Sequence, residues 1–326
     1  MNSRSNKLIE LFRGIAAVMI VFIHAPFPAP VGKYISALGR FAVPFFLMVS
    51  GYFSYGLNQR KRLKKKAKDT LMIIFFGGGI CAVWNSIISY LGGSSPFRWI
   101  MDSLRLGTLF RLLAFNYAAF LNSVFYYFFM LLYVYVLFIL FGEHIKLNNR
   151  SIVASGMLFL TGYVINHFTS LDWYYVGNTV LTGIPMFLFG RYLNENASFV
   201  EKQKDKEFLL IFIGIGVTLV ELNVLPKGDY VYIGQAIVAA TMLIICLNHH
   251  SASVPNQFVF FGTNCSLYLI ITHHEVIKTL ALYLEKNVWW FPLTVLLLSS
   301  IVSVIAYYFI RYVKTQITKP NATQTN

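Results

Sequence analysis

The sequence predicts an all-α, polytopic integral membrane protein with about ten transmembrane helices. Hydrophobic residues make up 57% of the 326 residues, and the mean hydropathy is +0.61. Charged residues account for only 12%, whereas soluble domains carry roughly 25%. The chain also contains repeated apolar runs of about 20 residues, the length that a helix needs to cross a bilayer. These runs are continuous rather than alternating, which argues against a transmembrane β-barrel.

Ten apolar segments account for the predicted helices. Their boundaries are expected near residues 8–26, 35–57, 70–92, 121–142, 151–168, 179–193, 208–224, 230–247, 257–284 and 289–312. No loop between them is long enough for a separate soluble domain. Residues 1–312 are therefore expected to form one membrane domain, and residues 313–326 a short, disordered cytoplasmic tail.

The distribution of basic residues predicts which side of the membrane each loop faces. With the N-terminus inside, the cytoplasmic segments hold 18 of the 27 Lys and Arg residues when the span ends from residue 191 and from residue 311 are counted with them, and the outer loops hold six. Loops rich in Lys and Arg stay on the cytoplasmic side, so both termini are expected in the cytoplasm. The net charge of +14 therefore mostly sets topology, and no nucleic acid is expected as a partner.

The densest positive charge lies between the second and third spans, in the run from Arg60 to Lys68. One interpretation is a topogenic loop that binds anionic membrane lipid. The other is that the run also draws an anionic cytosolic substrate toward the inner mouth of the bundle. The sequence leaves both interpretations open.

The first span carries ionic side chains that a membrane helix rarely contains. Arg13 and His24 are separated by ten residues, and a charge in a spanning helix costs about 3 kcal/mol on insertion scales. Eleven steps of about 100° bring the two residues to within roughly 20° of the same face, about 16 Å apart along the axis. Glu10 joins this face, which is therefore expected to line a polar cavity. Alternatively, Arg13 snorkels to the cytoplasmic headgroups and His24 is an ordinary interfacial histidine.

The remaining polar residues inside the membrane fall into groups by predicted depth. The outer group is His24, Arg40 and His273, the inner group is Glu10, Arg13, Ser50 and Tyr52, and Ser266 lies near mid-depth. Arg40 snorkelling outward and Ser50 serving close helix packing are alternatives. No metal site is expected, and the three cysteines show neither metal-ligand nor disulfide spacing.

Three of these segments resemble the acyltransferase 3 family of membrane O-acyltransferases. The first span resembles the family's opening helix, which is marked by an Arg and a His separated by ten residues. The segment from Val43-Pro44 to Ser50-Gly51-Tyr52 resembles its Val-Pro…Ser-Gly-Tyr helix, and Ser266 with His273 resembles a late Ser…His helix. The chain departs from the family at Ser123 and Phe125, where His and Trp are common, and at Ile270, where Tyr is common.

The resemblance implies transfer of an acyl group, usually acetyl, from cytosolic acetyl-CoA to a hydroxyl on an extracytoplasmic glycan or lipid-linked sugar. It also implies a location in the bacterial cytoplasmic membrane, with no tightly bound cofactor. His24 would act as a general base or carry the acetyl group transiently.

The resemblance implies a role for each singled-out residue. The implied catalytic residues are His24 and Arg13, the donor-binding residues are Arg13, Glu10, Ser50 and Tyr52, and the acceptor-binding residues are Arg40, Ser266 and His273. The main alternative is a transporter or exporter of a glycan or lipid-linked intermediate, in which the buried Arg and His line a permeation route. The sequence shows no internal repeat that would favour a transporter, and it does not indicate an oligomeric state.

Overall fold

The computed structural model describes residues 6–56, 58–93, 95, 101, 104–118, 121–145, 147–225, 230 and 232–318. All regular secondary structure among these residues is helical, and they include no strand. The last helix continues to Thr318, so the first residues of the predicted tail are helical. The rest of that tail, residues 319–326, lies outside the described residues.

The helices follow one another with short connections. They are α1 (Lys7–His24), α2 (Val31–Gly39), α3 (Ala42–Tyr52), α4 (Gln59–Met72), α5 (Gly78–Leu91), α6 (Leu106–Phe115), α7 (Phe125–Phe141), α8 (Asn149–Phe168), α9 (Ile184–Glu195), α10 (Ala197–Lys202), α11 (Glu207–Val224), α12 (Ile233–Asn248), α13 (Asn256–Phe260), α14 (Ser266–Leu280) and α15 (Phe291–Thr318). Single π-helical turns at Ile73–Gly77, Thr179–Gly183 and Phe261–Cys265 lead directly into α5, α9 and α14.

The helices of the structure and their apolar composition confirm the prediction of a helical membrane protein. Five helical stretches are long and apolar enough to cross a bilayer: Val31–Tyr52, Gln59–Leu91, Asn149–Phe168, Lys204–Val224 and Phe291–Gln316. Each of the ten predicted segments contains helix, but ten spans and cytoplasmic termini stay predictions. The helix α1 is not among the five, and its 18 residues include Lys7, Glu10 and Arg13.

The first helix lies at the centre of the bundle. It packs against α2, α3, α14 and the π-turn Phe261–Cys265. Its first turn is capped by Asn6, whose side-chain oxygen accepts from two backbone N–H groups and whose Nδ2 donates to the Cys246 carbonyl at 2.5 Å. Because Ala16 and Ala17 are small and fully buried, neighbouring helices approach this face closely.

The predicted second span is two helices that meet at Arg40 and Phe41. Pro44 lies in the first turn of α3, where its missing N–H would have no helical partner in any case. The helix α3 then packs closely on α9: a Cβ on Gly51 would lie 2.0 Å from the Phe187 carbonyl oxygen. Gly51 is therefore a close-packing position, and the break leaves Arg40 at a joint between helices.

Candidate functional site

A cavity of about 460 Å³ opens beside the C-terminal end of α1. Its walls come from α1, α3, α7, α8, α12 and the connection between α8 and α9. Its polar lining includes His24, Arg40, Ser123, Asn166, Asp172 and Gln235. Two members of the predicted outer group, His24 and Arg40, therefore line one cavity.

Three imidazole rings meet at the end of α1. The His24 ring centroid lies 4.3 Å from that of His274 and 5.3 Å from that of His273. One ring nitrogen from each of the three residues can be chosen so that all three atoms lie within 4.8 Å of one another. The cluster therefore combines a residue of the first helix, α1, with two residues of α14, which lies far along the chain.

The two α14 rings form different hydrogen bonds. The Nδ1 of His273 lies 3.1 Å from the Leu269 carbonyl oxygen, so Nδ1 carries the proton and donates it. The Nε2 of neutral His273 is therefore an acceptor, and it is buried with no hydrogen-bond partner among the described residues. The Nε2 of His274 lies 2.7 Å from the Ser123 hydroxyl. Ser123, where the chain departs from the family pattern, is thus a direct partner of the cluster.

The histidine cluster is also a group that could hold a metal ion, which the sequence does not predict. Imidazole nitrogens are common metal ligands. Arg40 lies close enough to His24 to oppose positive charge there. Acid–base chemistry at His24 needs no such ion.

Three aromatic residues, Tyr126, Trp173 and Tyr230, line the same cavity as His24 and contact one another; we call them the aromatic wall. The Trp173 and Tyr230 rings are stacked, with centroids 5.4 Å apart at 27°, and Tyr126 meets Trp173 edge-on at 5.1 Å. The Arg40 guanidinium lies 5.9 Å above the Tyr230 ring. The wall therefore combines flat apolar faces with one fixed cation.

The inner group is organised around Arg13. Its Nη1 donates to the Glu10 carboxylate at 3.2 Å. Lys66, on α4, donates to the Ser50 carbonyl at 3.3 Å, and its ammonium lies 5.8 Å above the Tyr135 ring. Lys66 also lies close enough to Arg13 for the two cations to repel each other. One lysine of the densest basic run, Lys66, therefore contacts residues inside the helix bundle. The sequence does not predict this contact.

Tyr127 connects the inner group with the cavity. It lines the cavity below His24 and lies close enough to Arg13 and Ser50 for electrostatic interaction. Arg13 and His24 belong to the same helix, three turns apart. Tyr127 is therefore a residue that both borders the cavity and lies near the inner group.

Two predicted site residues, Ser266 and Tyr52, do not line the cavity. The Ser266 hydroxyl donates to the Gly262 carbonyl at 2.6 Å, within its own helical stretch, and the residue is buried. The Tyr52 ring packs edge-on against Phe53, with centroids 5.3 Å apart. In the part of the chain that the structure describes, neither residue lines the cavity.

The residues that the sequence did not single out come mostly from elements distant along the chain. Trp173 lies in a short 3₁₀ turn and Tyr230 precedes α12. No local pattern links them, because aromatic residues are abundant throughout, with 17% of the chain being Phe, Trp or Tyr. One signal could have indicated this part of the site: Asp172, next to Trp173, is an acidic residue in a short loop that is predicted to face outward.

The comparison with protein families matches nearly the whole chain. The acyltransferase domain of the acyltransferase 3 family matches residues 6–311, which include the cavity, the histidine cluster and the inner group. No curated protein and no solved structure matches the chain. The match covers nearly the whole sequence, and the chain therefore belongs to the acyltransferase 3 family of membrane acyltransferases.

Proposed function

We propose that the protein is a membrane O-acyltransferase that transfers an acetyl group from cytosolic acetyl-CoA to a hydroxyl of an extracytoplasmic glycan or lipid-linked sugar. The bacterial cytoplasmic membrane is the proposed location. One observation carries the proposal: His24, at the C-terminal end of α1, lies in an aromatic-walled cavity, and the N-terminal half of the same helix holds Arg13. A base at the acceptor side and a cation at the donor side are thus held by one rigid element.

The donor would enter from the side of the basic run. Arg13 and Lys66 offer positive charge to the anionic carrier, and arginine binds phosphate through a planar set of N–H donors. The rise of about 16 Å between Arg13 and His24 is of the order of a pantetheine arm's reach. Ser50 and Tyr127 would border this path, while Glu10 orients Arg13 through the 3.2 Å ion pair.

The acceptor would occupy the 460 Å³ cavity. Trp173 and Tyr230 present flat faces on which the apolar face of a sugar ring can stack. Arg40, Asp172 and Gln235 line the same space and can hydrogen-bond to hydroxyl groups. A mostly apolar pocket with a few polar groups that fix orientation is the usual form of a small-ligand site.

In the proposed reaction His24 removes the proton of the acceptor hydroxyl as its oxygen attacks the thioester carbonyl. The new C–O bond forms, the C–S bond breaks, and the proton passes from His24 to the departing thiolate to give CoA. In neutral His273, Nε2 is an acceptor and can accept a hydrogen bond from a neighbouring protonated group. The oxyanion needs a donor instead, and Arg40 is therefore the better residue to stabilise it. In a two-step version, His24 itself carries the acetyl group between donor and acceptor.

The test uses inverted and right-side-out membrane vesicles supplied with radiolabelled acetyl-CoA. Base-labile label in glycan and lipid fractions should appear only when acetyl-CoA reaches the cytosolic face. His24→Gln should lower the rate by about 10²- to 10⁴-fold, the usual contribution of a general base, and Arg13→Gln should also lower it strongly.

The matched controls are His144→Gln and Arg150→Gln, since both side chains are exposed. Each control should leave the rate within twofold of the wild type. Unchanged acetylation in both the His24 and Arg13 variants, together with failed export of the glycan, would refute the enzyme and favour an exporter.

A further inference from the structure

A second cavity, of about 440 Å³, lies at the predicted cytoplasmic end of the bundle. It is bordered by the α3–α4 connection, the end of α7 and the end of α9. Its lining includes Tyr55, Gln59, Arg60, Phe138, Glu143 and Arg191. None of these residues belongs to the donor or acceptor groups described above.

Arg191 is the unusual member of this cavity, because it is only 1% exposed. Its Nη2 donates to the Gln59 side-chain oxygen at 2.9 Å. Its carbon Cζ lies 4.6 Å from the Phe138 ring centroid and 5.1 Å from that of Tyr55. The Nε and Nη1 groups are buried without a hydrogen-bond partner among the described residues, and no carboxylate in that part of the chain forms an ion pair with Arg191.

A buried guanidinium with unpaired donors is energetically costly, because its charge has lost water and has no ion-pair partner among the described residues. The Glu195 carboxylate, on the same helix, acts on this charge only from beyond ion-pair distance. The Tyr55 and Phe138 rings and the Gln59 side-chain oxygen all contact the guanidinium, and together they fix its position beside the cavity. Glu143 also lines the cavity, but it is exposed and forms no ion pair with Arg191. Two donors of Arg191, Nε and Nη1, therefore stay without an acceptor beside this cavity.

We propose that this cavity binds a phosphate group, with Arg191 as its principal ligand and the exposed Arg60 as a second cation at the rim. Arginine is the residue best suited to phosphate, since its charge is permanent and its donors lie in one plane. Two phosphate sources share this chemistry: the nucleotide of the acyl-CoA donor and the headgroup of an anionic lipid.

The position along α7 favours the nucleotide. Phe138 contacts Arg191, and Tyr135, three residues earlier, contacts Lys66. Three residues correspond to a rise of about 4.5 Å, so the cavity adjoins the inner group and lies on its cytoplasmic side. This assignment of the source rests on the proposed function: the nucleotide would bind at Arg191 while the pantetheine arm extends past Ser50 toward His24.

Two variants separate ligand binding from a purely structural role of Arg191. Arg191→Gln removes the proposed ligand. Gln59→Glu keeps Arg191 but places a carboxylate 2.9 Å from its Nη2, so an internal anion competes with the external phosphate while the buried charge gains a partner. Arg150→Gln is the control, because it changes the net charge by the same amount at an exposed position of the predicted cytoplasmic side.

The measurement uses the full chain in phosphatidylcholine nanodiscs, with CoA and 3′-dephospho-CoA as probes in calorimetric titrations. A second set of nanodiscs contains phosphatidylglycerol and is followed by thermal unfolding. We expect the wild type to bind CoA, Arg191→Gln and Gln59→Glu to weaken that binding at least tenfold, and Arg150→Gln to change it less than twofold. Weaker binding of 3′-dephospho-CoA would identify the 3′-phosphate as the bound group.

Three other results are decisive. Wild-type affinity for CoA in both variants would overturn the phosphate site and leave the proposed function standing. If the wild type does not bind CoA, but phosphatidylglycerol raises its Tm and Gln59→Glu abolishes that increase, the phosphate site stands with a lipid source and the proposed donor fails. If neither CoA nor phosphatidylglycerol distinguishes the wild type from the variants, the site is overturned.

Discussion

Gly262 is the position where α1 and the π-turn before α14 approach most closely. A Cβ built on Gly262 would lie 1.7 Å from the Glu10 carbonyl oxygen. Real Cβ contacts shorter than 3.0 Å essentially do not occur. Gly262→Ala therefore requires a displacement of about 1.3 Å along this line, the difference between those two distances.

The displacement acts on both stability and catalysis. The obstructing atom belongs to the backbone, so no side chain can move aside, and overpacking of this kind costs about 1–3 kcal/mol. The π-turn leads directly into α14, so its displacement also moves His273 and His274 away from His24. A misplacement of about 1 Å at reacting groups can lower a rate about 100-fold. We expect a lower Tm and a loss of acetyl transfer of that order.

The assay compares Gly262→Ala with Gly216→Ala, a substitution of a helical glycine whose added Cβ would meet no atom within 4 Å. Thermal unfolding in nanodiscs and initial transfer rates are measured for both variants. Gly216→Ala should keep the wild-type rate and match or exceed its stability, because alanine favours helix over glycine by up to about 1 kcal/mol. If Gly262→Ala behaves like its control, the close approach of α1 to the π-turn is wrong.

Three further predictions concern the rest of the bundle. Glu221→Gln should lower the unfolding free energy by about 1–2 kcal/mol in chemical denaturation, because this buried carboxylate accepts the two first N–H groups of α12 at 3.0 and 3.1 Å. Lys278→Met should lower Tm by leaving Glu275 without its 3.4 Å ion-pair partner, and adding Glu275→Gln should restore part of the loss. Trp173→Ala should raise the KM for the acceptor up to about tenfold with little effect on that for acetyl-CoA, whereas alanine at the half-exposed Trp290 should change neither.

The sequence predicted features that depend on the local period of a helix. Arg13 and His24 could be placed on one face because only helix geometry relates them, and Glu10 followed for the same reason. The grouping of His24 with Arg40 and His273 came from estimated depth in the membrane, a quantity that apolar segment boundaries fix to within a few residues. The structure brings these three residues together.

Features that depend on how distant segments meet were not predictable. The aromatic wall unites a residue of α7 with two residues from separate connections, and no periodicity relates them. Lys66 resembled its neighbours in a solvated basic run, but α4 is continuous from Gln59 and turns this one side chain toward Ser50. The π-turns add a residue to a helical turn and so change which face follows, which a uniform helical period cannot reveal.

The central position of α1 has a consequence for how the protein is made. This helix is synthesised before the other helices described here, and its three ionic side chains make it a poor candidate for entering the bilayer alone. Its partners in the bundle include the Cys246 carbonyl and the π-turn at Gly262, which are synthesised more than 230 residues later. The histidine cluster is likewise complete only after α14 has been inserted. Synthesis of the last quarter of the chain is therefore the step that stabilises the first helix and creates the site.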